Sequence, residues 1–145
     1  MTRSFDLAQA PGHLIRRAQQ IAVAEFALEM AGFDITPVQF ALLNTLRDAS
    51  GVDQITLAKA VAFDPATSGS VIARLEAKGW VRREPDVHDR RRKLLFVTAD
   101  GIQALEQMKA AVGRAQQRIL KPLSGSEQQQ LIQLLSKLVA GHEEP

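Results

Sequence analysis

The sequence contains no cysteine. Disulfide scaffolds, cysteine-ligated zinc, iron–sulfur ligation and thiol catalysis are excluded together. Histidine is scarce as well: His13, His88 and His142 lie far apart and none has a partner at helical ligand spacing, so no metal site is expected. No uncharged apolar run approaches the roughly 18 residues that a membrane span needs. The first fifteen residues interleave Thr2, Arg3, Asp6 and His13 with apolar positions, unlike a secretory leader. A cytoplasmic protein without membrane contact is the expectation. There is no internal repeat, no nucleophile–base motif, no phosphate-cradling glycine loop and no ligand cluster, so neither a cofactor nor enzyme activity is expected.

What is present suits one folding unit of 145 residues. Hydrophobic residues make up 46% and charged residues 23%, enough apolar material for a core and too much for a chain that is mainly disordered. The net charge of +2, from 18 basic and 16 acidic residues, favours no partner. Its distribution is more informative. Residues 82–93 hold Arg82, Arg83, Arg90, Arg91, Arg92 and Lys93 against Glu84, Asp86 and Asp89, a surplus of +3 that leaves −1 for the remainder. A positive field confined to one short segment points to a polyanion.

Helical periodicity and punctuation divide the chain. Pro11 to Ala31 is a predicted helix with Pro11 in its first turn, Gly32 in the left-handed position after its end, and a broad apolar face of Leu14, Ala18, Ile21, Ala22 and Leu28. Thr36-Pro37 starts a second, running to about Ala49 and burying Val38, Ala41, Leu42, Thr45 and Leu46 before Ser50-Gly51. Two short helices follow, Thr56 to Val61 and Pro65 to Lys78, the latter capped by Asp64, burying Val71, Ile72 and Leu75, and stopped by Gly79. Trp80 to Glu84 and Lys93 to Thr98 are predicted strands around a basic tip. Asp100-Gly101 opens a long helix to about Lys121, and Ser124 with Glu127 forms a capping box before Leu131, Leu134, Leu135, Leu138 and Val139.

A short helix, a turn, a longer helix and a basic hairpin make a winged helix-turn-helix. The expected fold is mainly α with a small β-hairpin wing: N-terminal helix, residues 1–35; DNA-binding region, residues 36–100; C-terminal helices, residues 101–145. An α-helix fits the DNA major groove, and its N-terminal end offers amides and small polar side chains to base edges and phosphates. Thr67, Ser68, Ser70 and Arg74 are candidates, with Ala66, Thr67, Ser70 and Arg74 on the side opposite Val71, Ile72 and Leu75, and Gly69 permitting close approach. Arginines at the hairpin tip suit the negative minor groove.

These residues resemble the MarR family of transcriptional regulators. The resemblance rests on Leu57-Ala58, on Arg74-Leu75-Glu76-Ala77-Lys78-Gly79-Trp80-Val81, on Arg83, on Asp89-Arg90-Arg91, which looks like the family's Asp-x-Arg wing signature, and on Val97-Thr98-Ala99-Asp100-Gly101 in place of its Leu-Thr-x-x-Gly. It implies a homodimer built from the first and last two helices, with Asp89 orienting the wing through Arg91, and Arg90 or Arg91 entering the minor groove. This chain departs from many members at Ser70, where they carry a long residue, and at Gly69, which costs a helix about 1 kcal/mol against alanine. Without cysteine, peroxide sensing through a thiol is excluded.

Apolar stripes over residues 102–119 and 131–139 exceed what one small winged domain covers, which calls for a second copy. Such a dimer is expected to bind a pseudo-palindromic double-stranded operator as a repressor, released by a small aromatic acid or phenolic ligand, although the sequence does not by itself separate repression from activation. Family members often bind aromatic carboxylates or phenols between the dimerisation helices and the winged region. Candidates for such a site here are His13, Arg17 and Gln20, a polar stripe beside the apolar face of the first helix, with Arg16 an alternative to Arg17, and Gln39 and Phe40 near the start of the second helix. The competing function is a winged-helix module that binds proteins and reads no operator.

Overall fold

The computed structural model describes residues 4–143. The outermost parts of the expected terminal segments, residues 1–3 and 144–145, lie outside the described residues. After a 3-10 turn at Leu7–Gln9, the elements in order are α1 Pro11–Glu29, α2 Pro37–Asp48, α3 Gln54–Ala60, α4 Pro65–Ala77, β1 Val81–Pro85, β2 Lys93–Val97, α5 Ala99–Leu120 and α6 Gly125–Glu143.

Local chemistry explains most of these boundaries. At the head of α2, Thr36 Oγ1 accepts from the Gln39 amide at 3.1 Å while Gln39 Oε1 accepts from the Thr36 amide at 3.2 Å, a reciprocal capping box with Pro37 behind it. The same device heads α6, where the Ser124 amide donates to Glu127 and the Glu127 amide donates to Ser124 Oγ. At the end of α4, Gly79 at φ +79° lets its amide reach the Glu76 carbonyl and the Trp80 amide reach the Leu75 carbonyl. The equivalent pair of bonds ends α3, but there the left-handed residue is Ala62 at φ +54°.

Several expectations need correction. Gly32 is not in the left-handed region; Asp34, at φ +50°, is, a conformation that short polar side chains tolerate better than most. α3 starts at Gln54, not Thr56, because Asp53 Oδ1 accepts from the Thr56 amide at 2.8 Å and caps it. α5 starts at Ala99, capped by Thr98, whose hydroxyl accepts from the Gly101 amide at 3.0 Å. In α2 the buried residues are Gln39, Leu42, Leu43 and Leu46, so the inward face is turned toward Leu43, and Val38, Ala41 and Thr45 sit at its margin.

The core gathers Leu42, Leu43 and Leu46 of α2, Leu57 of α3, Ile72 and Leu75 of α4, Val81 and Leu95 of the hairpin, and Leu105 and Met108 of α5, with Phe26 and Met30 from the end of α1. β1 and β2 pair antiparallel with Arg83 opposite Leu95, and Val52 adds one further bridge to Leu95. α1 is bound to α5 by ion pairs as well as by packing: Arg114 to Glu29 at 2.9 Å and Arg118 to Glu25 at 2.5 Å. Most of the apolar face of α1 stays outside, with Leu14, Ile15, Ile21 and Leu28 exposed. α6 buries no described residue; Leu134, Leu135, Leu138 and Val139 all face away from the rest of the chain.

Candidate nucleic-acid interface

The helix-turn-helix is formed by α3 and α4, and α4 continues through the Gly79 turn directly into the wing. Asp64 caps α4 by accepting from the Ala66 amide at 3.0 Å, with Pro65 in the first turn. Ala66, Thr67, Ser70 and Arg74 are exposed on one side of α4, opposite the buried Ile72 and Leu75. Thr67 and Ser70 donate their hydroxyl protons to carbonyls three residues back, at 3.3 and 3.0 Å. Their outward oxygen lone pairs therefore remain as acceptors in this arrangement.

Ser68 does not belong to that surface. It is fully buried, donates to the Pro65 carbonyl at 2.8 Å, and accepts from Gln54 Nε2 at 3.1 Å. A serine beside Ile72 on the helix wheel has no periodicity of its own to show which way it faces. Its partner, Gln54, comes from the preceding helix. Gly69 has the same explanation: a Cβ there would stand 3.3 Å from Gln54 Nε2. The absent side chain leaves room for the end of the Gln54 side chain between α3 and α4.

Gln54 also accepts from Arg83 Nη1 at 3.5 Å, and Arg83 Nε pairs with Glu76 at 2.5 Å. The sequence names Arg83 within the basic segment and the family resemblance, and Glu76 only as part of that resemblance; nothing in it marks Gln54. Together these residues tie the first turn of α3 to the start of α4 through Ser68, and to the end of α4 and β1 through Arg83 and Glu76.

Asp89, Arg90 and Arg91 are all exposed at the wing tip. Asp89 Oδ1 accepts from the Arg91 amide at 3.2 Å and lies 3.4 Å from Arg91 Nε, an exchange confined to the tip. At the wing's base Arg82 stacks over Phe96, with its guanidinium carbon 4.5 Å from the ring centre, and pairs with Glu84.

The six candidate ligand residues do not converge within one chain. His13 bonds Arg16 at 3.2 Å, and Arg17 donates to Gln20 at 3.1 Å, all at the N-terminal half of α1. Phe40 instead packs on Phe26, with ring centres 6.1 Å apart. His13 stands about 20 Å along α1 from Phe26 at the rise of a straight helix. Gln39 is buried in its capping box and lines a different feature, an open cavity of about 600 Å³ between the end of α1, the start of α2 and the end of α4. That cavity is walled by Met30, Ile35 and Ala77 and carries Arg74 and Lys78. Lys78 crosses its edge, donating to the Asp34 carbonyl at 2.7 Å with its ammonium 5.0 Å from the centre of the Trp80 ring.

Residues 35–93 match the MarR family. The HTH-type transcriptional repressor NicR of Pseudomonas putida is 31% identical over 139 residues, covering 96% of this chain and 88% of the relative. Among solved structures, BpsR of Bordetella bronchiseptica, whose DNA binding is regulated by 6-hydroxynicotinic acid, is 32% identical with a TM-score of 0.88. The match covers 94% of this chain and 98% of that one. A mutant MarR from E. coli complexed with operator DNA is 30% identical with a TM-score of 0.84, covering 94% and 99%. With a winged helix-turn-helix at its centre and similarity to such regulators over nearly its whole length, the chain belongs to the MarR family of DNA-binding transcriptional regulators.

Proposed function

We propose that this protein is a cytoplasmic repressor that binds a pseudo-palindromic operator as a homodimer and is released by a small aromatic acid. The observation that carries this reading is a division of surfaces. One region presents the outward face of α4 and the exposed Arg90 and Arg91 of the wing, while α1 and α6 leave long apolar stripes uncovered. The first suits phosphates and base edges, and the second suits a second copy that fixes the spacing of two recognition helices. In this reading Ala66, Thr67, Ser70 and Arg74 meet the major groove, and Arg90 and Arg91 meet the minor groove.

The effector reading rests on the cavity beside Gln39. Arg74 and Lys78 supply positive charge to an acid, and Met30, Ile35 and Ala77 supply apolar wall for a ring. The polar stripe of His13, Arg16, Arg17 and Gln20 would join such a site only if a second chain carried it there. An acid that binds better to a dimer with misaligned recognition helices lowers operator affinity by that difference.

The test is a titration of the protein against a duplex selected from random sequence by the protein itself. Binding that weakens steeply with salt, and weakens again on adding 6-hydroxynicotinate or a benzoate, is the expected outcome. Salt-independent binding overturns the operator half, and an unchanged affinity across a broad panel of aromatic acids overturns the effector half.

A further inference from the structure

We propose that Arg92 is a positioning residue that braces the wing against the first turn of α3 and so aims the arginines at its tip. The inference rests on the reading of the wing as a DNA contact.

Three arginines stand in a row at residues 90–92, and their surroundings differ. The Arg91 side chain is 95% exposed and its one carboxylate neighbour, Asp89, belongs to the same tip. Arg90 is exposed too, and no described residue pairs with its side chain. Arg92 turns back toward the body. Its Nε lies 3.0 Å from Asp53 Oδ2, and its Nη1 lies 3.5 Å from Asp86 Oδ2. Its backbone is engaged as well, because its amide donates to the Asp89 carbonyl and its carbonyl accepts from the Asp86 amide, both at 2.9 Å. The residue that closes the hairpin tip is thus the one fastened to another element.

The anchor is fixed independently of Arg92. Asp53 divides its two oxygens: Oδ1 caps α3 through the Thr56 amide, and Oδ2 receives Arg92. Asp86 does the same on the wing, giving Oδ1 to the His88 amide at 2.9 Å and Oδ2 to Arg92. Both carboxylates are more covered than the guanidinium between them, at 26% and 13% exposure against 48%. The next residue, Gln54, holds Ser68 inside α4. Two consecutive residues, Asp53 and Gln54, therefore set the wing and the recognition helix relative to one another. A carboxylate close to a surface that binds a polyanion works against that binding by charge alone. Its presence at residue 53 makes sense if the geometry it imposes is worth more than the repulsion.

That opposition supplies the test. In the full-length protein, Asp53→Ser keeps a side chain that caps helices well and removes the carboxylate that receives Arg92. Operator affinity is measured for the wild type, Asp53→Ser, Arg91→Ala, and the two together, with thermal unfolding as the fold control. Asp53→Ser is expected to weaken the operator complex about two- to fivefold, the range of a partly exposed ion pair, although it removes a negative charge. Combined with Arg91→Ala it is expected to add less than it does alone, because the tip it aims has lost its contact. Tighter or unchanged binding by Asp53→Ser, where Arg91→Ala weakens binding, overturns the brace and leaves the wing reading standing. Unchanged binding by folded Arg91→Ala overturns the wing reading and the brace with it. Should Asp53→Ser unfold, the same cycle is read between Arg92→Ala and Arg91→Ala, where full additivity overturns the proposal.

Discussion

Gly101, in the first turn of α5, lies so close to Trp80 that a Cβ on it would stand 2.4 Å from the Trp80 carbonyl oxygen and 2.8 Å from a methyl of Val97. The same carbonyl accepts from the Thr98 amide at 2.9 Å, and the Thr98 hydroxyl donates to the Gly79 carbonyl at 2.6 Å. The start of the long helix is thus seated on the junction between α4 and the wing. Gly101→Ala should destabilise the fold by about 1–3 kcal/mol, the usual cost of forcing an atom into a packed place. Urea unfolding measures it, and a loss below about 0.5 kcal/mol would show that the junction can spread.

The turn inside the helix-turn-helix stores strain at Ala62, which occupies the left-handed position where glycine is favoured. Left-handed backbone costs an alanine about 1–2 kcal/mol, whereas glycine adds about 0.4–1 kcal/mol of unfolded-state entropy. Ala62→Gly should therefore raise stability, by up to about 1 kcal/mol. A lower unfolding midpoint in this variant would contradict the strain.

Acid should loosen two helix starts. Hydrogen bonds from Thr56, and then the charge of Arg92, hold the Asp53 carboxyl below its ordinary value; the Ser124 amide and hydroxyl do the same for Glu127. A carboxyl depressed in the folded state binds fewer protons there than in the unfolded chain, so it adds stability above the ordinary carboxylate range and loses it as pH falls through the folded value. Stability should be flat near neutrality and decline below about pH 4. In Glu127→Gln the decline should be shallower; an identical acid limb would remove Glu127 from the account.

Association should depend on α6. Leu134 is 65% exposed and Leu138 45%, on a helix none of whose described residues is buried. If α6 carries the proposed dimer, Leu134→Lys with Leu138→Lys should leave a monomer in sedimentation and cost most of the operator affinity. A double variant that sediments like the wild type would place the interface elsewhere.

Features encoded within a few residues were readable from sequence, and those that depend on distant partners were not. Thr36-Pro37, Asp64-Pro65 and Ser124 with Glu127 announce helix starts because cap and helix are neighbours in the chain. Asp53 caps α3 with no proline behind it, and Thr98 follows a strand so directly that it reads as part of one. Ser68, a candidate for DNA contact by sequence, is buried instead, because its environment comes from Gln54, fourteen residues earlier. The outward residues of α4 followed correctly from Ile72 and Leu75. The ligand stripe shows the limit most clearly: helical spacing groups His13, Arg17 and Gln20, but only the path of the chain shows that Gln39 opens into a cavity elsewhere.

Trp80 is the only tryptophan in the chain. It has the Lys78 ammonium over its ring, and that ammonium is held by the Asp34 carbonyl at the rim of the cavity. An acid that drew Lys78 inward would strip a cation from the sole indole. On the proposed effector reading, the emission of this one indole would change as the cavity filled, giving a readout of occupancy that needs no label and no DNA.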